Sequence, residues 1–128
     1  MTRILVIDDH AHGRAAVLSV LRARDFEVTG VADGPAGLAE FKAAPFDMAI
    51  VDVYLPILDG VQVIRELRAM APKLPIIAVS GVMLGDSQRT ALDMFANAAD
   101  LAEVECLKKP FRSSELLKAV DKVLATAA

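Results

Sequence analysis

Three observations predict an α/β fold built on a five-stranded parallel sheet with helices on both faces. Five short apolar runs, rich in β-branched residues, alternate with stretches of helical periodicity. The runs are apolar nearly throughout, as strands covered on both sides are, and do not show the polar alternation of a half-exposed sheet. Strand and helix also alternate along the whole chain, and parallel neighbours need such crossovers, which are right-handed.

The elements follow in order. Ile4-Leu5-Val6-Ile7 is too short for a helix and stops at Asp8-Asp9, so it is the first strand. Val17, Leu18 and Leu21 share a face in a helix predicted from about Gly13 to Arg24. Phe26 to Val31 is the second strand; Asp33-Gly34-Pro35 ends it and opens a short helix carrying Leu38 and Phe41. Met48 to Val51 is the third strand, closed by Asp52. A loop from Tyr54 to Gly60 holds Pro56, and Asp59 is placed to cap a helix with Val63, Ile64 and Leu67 on one face. Pro75 to Val79 is the fourth strand, ending at Ser80, and a polar opening at Gly85-Asp86-Ser87 leads to a helix with Ala91, Met94, Phe95 and Ala98 on one face. Val104 to Leu107 is a weaker fifth strand before Lys108-Lys109-Pro110, and Ser113 is expected to cap a last helix bearing Leu116, Val120, Val123 and Leu124.

Composition bounds the function. With 128 residues the chain is read as one domain, residues 1–128, large enough to bury a core without disulfides or metals. At 55% apolar and 24% charged it is too hydrophobic for disorder and too charged for a membrane, and no apolar run approaches a membrane span or a signal peptide. A single cysteine, Cys106, excludes an internal disulfide framework, so a cytoplasmic setting is expected. A net charge of −3 gives no electrostatic footprint for nucleic acid, so no nucleic acid is expected to bind the chain by itself. No Gly-rich phosphate loop follows the first strand, which disfavours nucleotide binding.

The chemistry lies at the strand ends. Asp8, Asp9, Asp52, Ser80 and Lys109 all terminate apolar strands on the carboxyl side, the edge where open α/β sheets bind ligands. Three carboxylates gathered there repel one another by several kcal/mol per pair at an effective dielectric of about 20. Lys109 supplies one counter-charge, and a hard divalent cation with oxygen ligands, Mg²⁺ before any soft metal, supplies the rest. A carboxylate so held can attack phosphorus and form an acyl phosphate, with the cation, the lysine and the serine hydroxyl neutralising charge on the transferring group.

These residues, in this order, strongly resemble the receiver domains of two-component response regulators, the stand-alone chemotaxis regulator among them. The likeness covers the whole chain. It rests on Ile7-Asp8-Asp9, on Asp52-Val-Tyr-Leu-Pro56-Ile-Leu-Asp59-Gly60, on Ser80-Gly81 and on Lys109-Pro110-Phe111. The resemblance, and not the periodicity, implies a flavodoxin-like sheet of strand order 2-1-3-4-5, a known property of the family. It implies that Asp52 accepts a phosphoryl group from a sensor histidine kinase or a histidine phosphotransfer protein. Asp9, Asp52 and the main-chain carbonyl of Tyr54 match the family's Mg²⁺ ligands, and Asp8 matches the carboxylate that reaches the metal through water. Lys109 then pairs with the phosphoryl group. Ser80 matches the hydroxyl residue whose movement remodels the face of the fourth helix, fifth strand and fifth helix, where a downstream protein target binds. No membrane is implied.

Two departures from the family pattern carry expectations. The fifth-strand aromatic that normally moves with the hydroxyl residue is Cys106 here, so the output face is expected to rearrange by another route. Tyr54 and Val82 stand where the family tunes acyl-phosphate lifetime, and neither can orient an attacking water, so slow loss of the phosphoryl group is expected. Asp59 is read as a cap and not a ligand, Lys108 as solvated, and Cys106 as a buried small hydrophobe. His10 and His12 are read as decorating an exposed loop, with a transition-metal role the lesser reading.

The chain ends soon after the fifth helix, so a stand-alone regulator or phosphorelay intermediate is the simplest expectation, and the receiver piece of a longer regulator is the rival. A pseudo-receiver binding module would be expected to lack part of the acidic cluster, which is complete here. An aspartate-nucleophile phosphohydrolase would need an acid at Tyr54.

Overall fold

The computed structural model describes residues 1–80 and 103–127. Its strands are β1 (Arg3–Ile7), β2 (Glu27–Val31), β3 (Met48–Asp52), β4 (Ile76–Ser80) and β5 (Glu105–Lys108). The helices are α1 (Ala11–Ala23), α2 (Gly34–Ala43), α3 (Gly60–Met70) and a C-terminal helix, Ser113–Ala127. The helix expected near Ala91 to Ala98, and Val82, lie outside the described residues. All strand pairs are parallel, in the order β2-β1-β3-β4-β5.

The period of two along each strand sorts the core into two layers. Leu5, Ile7, Ala49, Val51, Ile76 and Ala78 pack with Val63, Ile64 and Leu67 of α3 on one face. Ile4, Val6, Met48, Ile50, Ile77 and Val79 pack on the other face with Val17 and Leu21 of α1 and with Leu116, Val120 and Val123 of the C-terminal helix. Every residue of β3 and β4 is buried, whereas the edge strands β2 and β5 are partly exposed, so the apolar runs are most continuous where the sheet is covered twice.

Strands β1, β2, β3 and β4 differ from the sequence reading by a residue at one or both ends, and three further differences have local reasons. Helix α1 begins at Ala11 and not Gly13, because the extended His10 already accepts the Arg14 N–H through its carbonyl at 2.8 Å. Strand β5 runs one residue later than expected, since the pairing of Ser80 with Lys108 prolongs it and leaves Val104 outside. Ser113 is the first helical residue and not the cap: Glu115 Oε1 reaches back to accept the Arg112 N–H at 2.9 Å. Asp59 does cap α3, its Oδ1 accepting the Gln62 N–H at 3.0 Å.

The β3–α3 loop holds a strained residue. Ile57 takes φ 70°, left-handed backbone that opposes a β-branched side chain, and it is 84% exposed, so little burial offsets the strain. Ile57→Asn should therefore stabilise the fold by about 1 kcal/mol, seen as a melting temperature higher by a few degrees. A lower melting temperature would mean that Ile57 makes contacts worth more than its strain.

Candidate phosphoryl and cation site

Among the described residues the buried polar side chains are Asp8, Asp52 and Ser80, and all three stand at carboxyl ends of central strands. β1 delivers Asp8 and Asp9, β3 delivers Asp52 and β4 delivers Ser80. Lys109 follows β5, and its N–H donates to the Ser80 carbonyl at 2.7 Å, which ties the lysine's backbone to the end of β4.

Lys109 Nζ donates to Asp8 Oδ2 at 3.0 Å and to Asp52 Oδ2 at 3.2 Å, bridging the two buried carboxylates. Lys108 is exposed, as strand alternation requires of one of the pair. The second oxygens are held by main chain: Asp52 Oδ1 accepts the Tyr54 N–H and Asp8 Oδ1 accepts the His10 N–H, each at 2.9 Å. Arg14, to which the sequence drew no attention, donates through Nη1 to the Asp8 carbonyl at 2.8 Å and steadies the start of the loop. Tyr54 enters the site through this backbone N–H, while its side chain packs on the α3 face of the core.

The charges do not balance. Burial pushes the Asp52 carboxyl above its ordinary range and the neighbouring Asp8 charge adds to this, against the Tyr54 N–H and the Lys109 charge, which pull it down. Burial opposes the charge of Lys109 as well, yet its bonds and charge pairing with Asp8 and Asp52 win, and its pKa is raised. The lysine is thus firmly protonated, and one cation is too few for the carboxylates around it.

His10 is exposed as expected, but it does not merely decorate the loop. Its Nδ1 lies 3.2 Å from Asp9 Oδ1, 3.4 Å from Asp8 Oδ1 and 4.0 Å from Asp52 Oδ2. Asp8, Asp9, His10 and Asp52 each offer a ligand atom within 4.8 Å of the others. Three carboxylates with one oxygen-rich opening fit a hard divalent cation. Cys106 is half-buried, not fully buried, against the α3 face of the core, and burial followed by the Glu105 charge pushes its thiol up, away from thiolate chemistry.

A doubly wound parallel sheet carrying an acidic pocket and a lysine at its carboxyl edge places the chain among the open α/β proteins that bind ligands at that edge. The sequence model of the response regulator receiver domain matches residues 4–121, and the chain belongs to that family. It is 32% identical over 124 residues to the sensory transduction protein RegX3 of Mycobacterium tuberculosis, covering 97% of this chain and 51% of the relative. The transcriptional regulatory protein PrrA of Mycobacterium leprae is 32% identical over 122 residues, 95% of this chain and 49% of its own length. The chain thus spans about half the length of these two relatives. A response regulator receiver protein from Sinorhizobium medicae superposes with a TM-score of 0.84 at 29% identity, over 99% of this chain and 97% of that one. NtrX from Brucella abortus, in complex with ADP, gives 0.86 at 26% identity over 99% of this chain and 28% of that one. No helix among the described residues is long and apolar enough to cross a membrane.

Proposed function

We propose that residues 1–128 form a phosphoacceptor receiver domain that takes a phosphoryl group onto Asp52 from a phosphohistidine of a sensor histidine kinase or histidine phosphotransfer protein. The observation that carries this reading is the Lys109 Nζ bridge, 3.0 Å from Asp8 and 3.2 Å from Asp52, at the edge where β1, β3 and β4 end. Asp9, Asp52 and the Tyr54 carbonyl would hold Mg²⁺, with Asp8 acting through water. When bound, the cation neutralises the carboxylates and the phosphoryl oxygens.

The remaining work falls to the chain. A carboxylate oxygen of Asp52 forms the new O–P bond as the donor's N–P bond breaks, and the departing imidazole nitrogen keeps the bond's electron pair and recovers a proton from solvent. The Tyr54 N–H holds the Asp52 carboxylate in place during attack. Lys109 loses an ionised partner in Asp52 and turns its charge to the phosphoryl oxygens, with Ser80 supplying a hydroxyl from the end of β4. The new charge then biases a two-state surface around β5 and the C-terminal helix, where a downstream protein binds; Ser80 and Cys106 are the switch positions. A cytoplasmic setting agrees with this chemistry.

Incubation with Mg²⁺ and a small phosphodonor, followed by intact-mass measurement, tests the reading. It predicts one labile adduct with the mass of a phosphoryl group, lost on adding a chelator beforehand. A folded protein that takes up none would instead be a pseudo-receiver, a binding module without phosphotransfer. Once formed, the acyl phosphate should be long-lived, since Tyr54 cannot orient water; Tyr54→Asn should speed its loss several-fold, and an unchanged or slower rate contradicts this.

A further inference from the structure

Two histidines follow the acidic pair, and the phosphotransfer reading uses neither. The fold treats them differently. His12 lies exposed in α1, whereas His10 stands just before it at φ −87° and ψ 108°, and its side chain makes no capping hydrogen bond. Its backbone is tied on both sides, the N–H donating to Asp8 Oδ1 at 2.9 Å and the carbonyl accepting the Arg14 N–H at 2.8 Å. That tether turns the ring onto the carboxylates, with Nδ1 at 3.2 Å from Asp9, 3.4 Å from Asp8 and 4.0 Å from Asp52. The Nδ1 edge of the ring and three carboxylates face one another, and the four side chains each offer one ligand atom within 4.8 Å of the others, close enough to share one cation. The side chain is 69% exposed, so an ion with its water shell can reach it.

We propose that His10 adds a nitrogen ligand to the cation site, joining the carboxylates of Asp9 and Asp52, and so shifts this chain's preference from Mg²⁺ toward first-row transition ions, Mn²⁺ among them. The inference rests on the cation site proposed above and concerns which ion it takes. Oxygen ligands suit Mg²⁺ and Mn²⁺ alike, but an imidazole nitrogen adds affinity for a first-row transition ion, least for Mn²⁺ and more for the later metals, and adds little for Mg²⁺. The same ring would add little to an ion that keeps its waters and demands oxygen.

Mn²⁺ and Mg²⁺ affinities of the full, tag-free chain at one fixed pH test this, for wild type, His10→Ala and His12→Ala. Pulsed electron paramagnetic resonance of the Mn²⁺-loaded proteins supplies the direct signature, a ¹⁴N coupling from a bound imidazole. The expected result is ¹⁴N coupling in wild type and His12→Ala but not in His10→Ala. His10→Ala should also weaken Mn²⁺ about tenfold with little change for Mg²⁺. Absence of ¹⁴N coupling in wild type overturns the proposal, as does an equal loss for both ions or none for either. Phosphoryl uptake in Mg²⁺ alone, on the same samples, separates the two readings. Uptake without ¹⁴N coupling sinks only the role of His10; ¹⁴N coupling without uptake sinks only the phosphoacceptor reading.

Discussion

Asp52→Asn is expected to raise the melting temperature of the metal-free protein by a few degrees, on the scale of about 1 kcal/mol for a domain of this size, while abolishing phosphoryl uptake. Burial, with Asp8 beside it, pushes the Asp52 carboxyl above its ordinary value of 3.8, so the fold favours the neutral form. Above the raised pKa the ionised carboxylate costs the fold its full penalty. Below the ordinary value both folded and unfolded chains hold the proton and the penalty vanishes. The gain from asparagine should therefore be complete above the raised pKa and fade as pH falls through it toward 3.8. Mg²⁺ should act in the same direction on wild type, stabilising it by about 2.7 kcal/mol at a hundredfold excess over Kd, and less on Asp52→Asn, which has lost a ligand. Thermal melts across pH with and without Mg²⁺ read all of this. A metal-free Asp52→Asn protein that melts lower at neutral pH would mean that the Lys109 pairing outweighs burial.

The second large effect is expected at Gly60. A Cβ there would overlap the Asp52 carbonyl oxygen and lie 2.6 Å from Val53 Cα, both backbone atoms with no rotamer to yield. The same glycine donates its N–H to the Val53 carbonyl at 2.9 Å, docking the start of α3 against the end of β3. Gly60→Ala should cost about 3 kcal/mol or more, a fall in melting temperature on the order of 10 °C, because α3 must back away from the strand that carries Asp52. Phosphoryl uptake should slow in whatever remains folded. Gly37 is the control: its added Cβ would press on Ile7 Cδ1 and lie 2.8 Å from Ile7 Cγ1, side-chain atoms that can shift where backbone cannot, so Gly37→Ala should cost less. Equal costs at the two positions would count against a backbone clash at Gly60.

The parts of the fold legible in the sequence are those set by short-range pattern. Runs such as Ile4 to Ile7 and Ile76 to Val79 are apolar on both faces because helices cover both, and the two layers of the core divide along that alternation. The strand ends were legible for the same reason, since Asp8, Asp52 and Ser80 interrupt runs that are otherwise buried. Strand order was not legible from these residues; it came with the family resemblance. Lys109 could be chosen over Lys108 only by adding that resemblance to strand alternation. Cap geometry was half legible. Asp59 precedes its helix with an obvious acceptor, but at the last helix the Glu115 side chain reaches backward and takes the place expected of Ser113. The orientation of His10 depends on two backbone bonds, to Asp8 and Arg14, that spacing alone does not specify. The demand for glycine at position 60 arises from a contact between β3 and α3, visible only once the two are packed.

The central claim is that Asp52 is the phosphoryl acceptor, and chemical trapping tests it most directly. After incubation with Mg²⁺ and a small phosphodonor, borohydride reduces an acyl phosphate of aspartate to homoserine, which peptide mapping locates. The account predicts homoserine at position 52 in wild type and none anywhere in Asp52→Ala. Homoserine at Asp8 or Asp9 in wild type, or the same labelling in Asp52→Ala, would contradict it.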